Sequence, residues 1–103
     1  MPTWVRIGPQ CYTILRRRFE KKRRYHVGHI EYRKNRIQIA DDVPSSRQRE
    51  ALLHEILHAT CSATGINERL DADEAEYVVT ALAPALLAVL RENPHVVAYL
   101  TSE

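Results

Sequence analysis

His54-Glu55-Ile56-Leu57-His58 is the stretch on which the reading of this chain turns. Histidines four residues apart fall on one face of an α-helix, with Cβ atoms about 5–6 Å apart, so both rings can reach one metal ion. Zinc takes imidazole nitrogen at about 2.0–2.1 Å and in catalytic sites keeps one position open for water. Glu55 stands beside His54 on the same exposed edge, where it can accept a proton from that water instead of binding the metal. The spacing predicts His54 and His58 as zinc ligands, Glu55 as general base, and metal-assisted hydrolysis as the chemistry.

The flanking residues predict a punctuated helix over 45–65. Ser45 or Ser46 can cap its start, with Gln48 completing a capping box from Ser45, and Gly65 supplies a left-handed stop. Leu53, Ile56, Leu57, Thr60 and Ala63 crowd around the histidines, so the pair borders a core. A buried His pair beside a Glu needs partners, and a metal is the simplest one.

A second helix is expected over 71–92. Asp71 can cap it, with Glu74 three residues on, and Asp73, Glu74 and Glu76 suit the positive end of the helix dipole. Ala75, Val78, Val79, Leu82, Leu86 and Val89 recur at three- and four-residue steps as a core-facing stripe. Pro84 inside this pattern predicts a kink or a break. Asn93-Pro94 ends the helix, and 94–101 forms one more short turn. Glu74 and Glu76 stand on opposite margins of the stripe, so helical phase allows either to complete the metal site.

Residues 1–40 read as strand-rich. Trp4–Ile7 and Cys11–Leu15 flank Gly8-Pro9, and His29–Arg33 and Arg36–Ala40 flank Lys34-Asn35, giving two hairpins. Between the hairpins, Arg16–Arg24 holds seven basic residues in nine, either a solvated loop or a patch for nucleic acid or an acidic protein. The formal charge of +2 is unevenly divided: residues 1–50 carry +8 and the remainder −6. Such asymmetry invites an acidic partner or attraction between the halves.

At 103 residues the chain is expected to form one domain with a modest core. No apolar run is long enough to span a membrane and no basic-then-apolar leader is visible, so a cytoplasmic protein is expected. Cys11 and Cys61 form no Cys-x-x-Cys pair and read as small buried hydrophobes kept reduced. Cys61, three residues after His58, could also approach the metal.

With these residues in place, the chain resembles the zincin superfamily, specifically the compact glutamate-type zincins whose third ligand is a Glu on the helix after HExxH. Glu76-Tyr77-Val78-Val79-Thr80-Ala81-Leu82-Ala83-Pro84 looks like a diverged form of the Glu-x-x-Ala-Asn-x-Phe-Ala segment of ImmA/IrrE-like metallopeptidases, with Val79 and Thr80 where that family has Ala and Asn. Residues 48–59 and 81–94 also look like small phage and actinobacterial proteins of this class, and SprT-like proteases are a more distant analogue. The resemblance spans roughly residues 36–100.

The resemblance implies Glu76 as the third zinc ligand. It implies an α+β fold, a small antiparallel sheet of two hairpins packed on the HExxH helix and the glutamate helix. Arg36–Ala40 would be the edge strand that aligns an extended peptide substrate. The reaction would be peptide-bond hydrolysis by zinc-activated water with Glu55 as base. Tyr77, His95 and Tyr99 are oxyanion candidates by residue type alone. A different class stays open: a nucleic-acid- or protein-binding module, such as a phage adaptor, that contains zinc without proteolytic activity.

Overall fold

The structure, a computed structural model, describes residues 1–20 and 26–103. Four strands, β1 (Trp4–Ile7), β2 (Gln10–Arg17), β3 (Gly28–Glu31) and β4 (Arg36–Ala40), precede three helices, α1 (Ser45–Ala63), α2 (Ala72–Glu92) and α3 (Pro94–Leu100). The class is α+β. The sheet order is β1-β2-β4-β3. Both expected hairpins form, with β1 antiparallel to β2 and β3 antiparallel to β4. Gly8, at φ +58°, makes the first turn, and Asn35, at φ +48°, closes the second after a 3₁₀ turn over Tyr32–Lys34.

The hairpins join through β2 and β4, which run parallel with Ile14 opposite Ile37, so the sheet is mixed and not antiparallel throughout. The long connection from β2 to β3 lets β4 insert beside β2. Arg36–Ala40 is therefore an interior strand, and the edge near α1 is β3. The expected edge strand is corrected by this order: Ile37, Gln38, Ile39 and Ala40 are all buried.

Ile7, Tyr12, Ile14, Ile37 and Ile39 on the inner face meet Ala51 and Ala59 of α1, with Leu52 and Ile56 packed around them. Ile37 and Ile39 are wholly buried, each contributing about 1.5–3 kcal/mol on removal from water. Small alanines in α1 let the helix lie close over the sheet.

Helix ends differ from expectation at one terminus only. Pro44 sits at the N-cap of α1 without a side-chain cap bond, and Gln48 donates to the Val43 carbonyl at 3.0 Å in place of a capping box with Ser45. Gly65, at φ +81°, follows the last turn as expected. The Asp71–Glu74 capping box at the start of α2 forms in full.

Helix α2 is continuous through Pro84 and does not break there. It buries Ala75, Val79 and Ala83, a line at four-residue steps, while Val78, Leu82 and Val89 are exposed at 40, 46 and 52 %. The buried line is thus narrower and shifted from the expected stripe, because α1 covers only one seam of α2. No described helix is long and apolar enough to cross a membrane.

Candidate metal centre

Helical phase delivers the donors. In α1, Ala51, Glu55 and Ala59 are buried at four-residue steps, which leaves His54 and His58 one position off that line, half-buried and directed toward α2. In α2, burial of Ala75 and Val79 sets Glu76 and Thr80 one position beyond the seam with α1. His54 Nε2 and His58 Nε2 lie 3.2 Å apart. Glu76 bridges the pair, with Oε1 3.2 Å from His54 Nε2 and Oε2 2.9 Å from His58 Nε2. The rings meet edge to face, with centroids 4.8 Å apart.

Three donors around a tetrahedral zinc at about 2.0–2.1 Å would be separated by about 3.3–3.4 Å. The observed triangle is close to that size, and two imidazoles with one carboxylate form a donor set that suits zinc. Among the described residues, the cluster able to hold a metal consists of His54, His58 and Glu76. The residues present therefore fit the ion. Cys61 is half-buried, outside the cluster, and free; Cys11 is free and exposed, which corrects its expected burial.

Glu74 accepts the Asp71 backbone N–H at 3.0 Å and is committed to the cap. That contact separates the two acids that helical phase left open. Thr80 Oγ1 donates to Glu76 Oε1 at 3.1 Å and orients the carboxylate from one turn below. Sequence reading passed over Thr80 as a site residue, although its four-residue spacing from Glu76 was the available signal.

Electrostatics follow from the packing. Partial burial alone would push the Glu76 carboxyl up, but the His54 and His58 imidazoles and the Thr80 hydroxyl outweigh it and hold it below the usual range. Burial lowers the basicity of His54, partly offset by Glu76, which keeps an imidazole in the neutral form that a metal requires.

Glu55 does not share the exposed edge expected of it: it is 8 % exposed and turns toward the sheet. Burial first, and repulsion from Glu76 second, push its carboxyl up to about 7. Gly28 of β3 is its nearest wall. A Cβ there would lie 2.9 Å from Glu55 Oε2 and 3.0 Å from its Cγ, so only glycine leaves the carboxylate its place.

These groups open into a cleft of about 430 Å³, walled by His26 and Gly28 on the β3 side, Arg47 and Glu55 of α1, and Glu76 and Thr80 of α2. Tyr77 and Tyr99, at 76 and 79 % exposure, lie away from this lining, as does His95. Sequence reading did not single out Gly28, His26 or Arg47, because nothing local ties the entry to β3 to a helix some twenty residues later.

A family model described as the IrrE N-terminal-like domain of the M78 peptidases matches residues 12–88, about three quarters of the chain. The match runs from β2 into α2 and takes in both histidines, Glu55 and Glu76. No curated protein gives a significant match. No solved structure does either.

Proposed function

This chain belongs to the IrrE N-terminal-like peptidase family, and from that premise we propose that it is a zinc-dependent metallopeptidase in which His54, His58 and Glu76 hold the ion and Glu55 is the general base. When bound, zinc would supply Lewis-acid polarisation of the scissile carbonyl and acidify water at the site. The chain's own residues do the remainder. Glu55 takes the proton of the attacking water and passes it to the leaving amine, a task that suits a carboxyl raised toward neutrality. Thr80 steadies Glu76, and Gly28 leaves the Glu55 carboxylate free to meet both water and amine.

The observation that carries this reading is the burial of Glu55 beside, and outside, the three-donor cluster. A carboxylate in that position is a proton carrier and not a ligand. Three clustered donors also match an open catalytic site better than a closed structural one, which takes four protein ligands. Among the described residues β3 is an edge strand bordering the same cleft, where its backbone would be offered to an extended peptide.

Zinc-loaded protein incubated with a mixed peptide library, read by mass spectrometry, is the test. Cleavage that disappears in Glu55→Gln while zinc content is unchanged supports the proposal. Undiminished cleavage by Glu55→Gln would refute the base, and loss of zinc in that variant would place Glu55 among the ligands.

A further inference from the structure

The cleft uses only the inner side of the sheet. Burial alternates along β1 and β2: Val5, Ile7, Tyr12 and Ile14 point to the core, while Trp4, Arg6, Cys11, Thr13, Leu15 and Arg17 point the other way. Trp4 faces Thr13 and Arg6 faces Cys11 across the β1–β2 pair. No described helix covers this outer face, since α1 packs on the inner side.

The two halves of that face differ. Beside β3, Glu31 accepts a hydrogen bond from Gln38, lies 3.3 Å from Arg36 and reaches Lys34, so the cations there have an acidic partner. On the β1–β2 half it is otherwise. Arg6 and Arg17 are exposed there, and neither has an ion pair among the described residues, while Arg16 falls on the inner side with Ile14 by the same alternation. Trp4, the single tryptophan of the chain, shares this face two residues from Arg6, at 62 % exposure. Lys21, Lys22, Arg23 and Arg24 of the basic run lie outside the described residues.

We propose that this outer face binds single-stranded nucleic acid, with phosphates held by Arg6 and Arg17 and a base stacked on Trp4. Charge complementarity selects a polyanion, because the N-terminal half carries +8 while the helical half carries −6. The exposed indole selects among polyanions: an acidic protein segment gives it no flat partner, whereas an unpaired base does. Trp4 and Arg6 are two residues apart on one strand, about 7 Å, so a base and a neighbouring phosphate can meet both at once. A duplex keeps its bases stacked and would leave Trp4 unused. The metal centre lies on the opposite side of the sheet, so nucleic-acid binding is independent of zinc and of the peptidase reading.

Trp4 fluorescence reports the binding directly. The full chain is titrated with an oligothymidylate of about 12 nucleotides, from about 20 mM salt upward. Quenching is expected, with log K falling against log salt at a slope of about −1.4 for two phosphate contacts. Anisotropy of a dye-labelled oligonucleotide follows the variants. Arg6→Ser with Arg17→Ser should remove most of the slope, Arg6→Lys with Arg17→Lys should retain it, and Trp4→Ala should weaken binding about tenfold or more. Chelator should change nothing. Absence of quenching at low salt would overturn the proposal. So would tighter binding of duplex, equal competition by polyglutamate, or loss of binding on chelation, which would move the nucleic acid to the metal site.

Discussion

Replacing Glu55 by Gln should stabilise the metal-free protein, and the size of the effect follows from the carboxyl's environment. Its pKa rises on folding from 4.5 to about 7, through burial and then repulsion from Glu76. An acid whose pKa is raised in the folded state favours its protonated form there. The resulting penalty is absent below pH about 4.5, grows as pH rises through the interval, and is complete above about 7. A shift of that size corresponds to about 3 kcal/mol. Gln carries no charge to desolvate but needs hydrogen bonds of its own, which offsets about 1 kcal/mol. About 2 kcal/mol remains, roughly 10 °C in melting temperature for a chain of this length. Thermal melts followed by circular dichroism, with chelator present, should show Glu55→Gln melting higher at pH 8 and slightly lower near pH 4.5. A gap of equal size at both pH values, or a lower melting temperature for the variant at pH 8, would refute the argument that a buried and uncompensated charge is held beside the metal centre.

Glu76→Gln should weaken zinc binding at least tenfold in competition with a chelating dye, whereas Glu74→Gln should leave affinity unchanged and keep the capping box, since a Gln side-chain oxygen still accepts the Asp71 N–H. Thr80→Val removes the hydrogen bond that orients Glu76 and should reduce zinc affinity about tenfold in the same titration, with the fold intact by circular dichroism. Gly28→Ala forces a Cβ to within 2.9 Å of Glu55 Oε2; peptide cleavage should fall by about a hundredfold, the scale set by misplacing a reacting group by an ångström, while zinc content is retained.

The elements that local pattern specifies were legible. Trp4–Ile7 and Arg36–Ala40 form strands with the expected ends, and the HExxH helix and the Asp71 cap stand where spacing put them. What pattern could not supply was pairing across the sheet. Alternation in Ile37-Gln38-Ile39 reads as a strand with one apolar and one polar face, yet Gln38 is buried as well, because Glu31 of β3 accepts its amide and Leu15 of β2 stands opposite it. Periodicity is blind to which strand inserts beside which. The position of Glu55 was recoverable in part: Ala51, Glu55 and Ala59 form a four-residue series whose small neighbours mark the face that meets the sheet, but a charged residue in that series reads first as solvated. Gly28 lay beyond reach, since only the folded sheet brings it to Glu55.

The central claim is that two imidazoles and one carboxylate hold zinc in an open site. X-ray absorption at the zinc edge of the loaded protein tests it most directly. The account predicts one zinc per chain, four-coordinate, with two imidazole nitrogens and two oxygens near 2.0–2.1 Å and no sulfur. A sulfur scatterer near 2.3 Å, which would bring in Cys61, or failure of the protein to retain zinc, would contradict it.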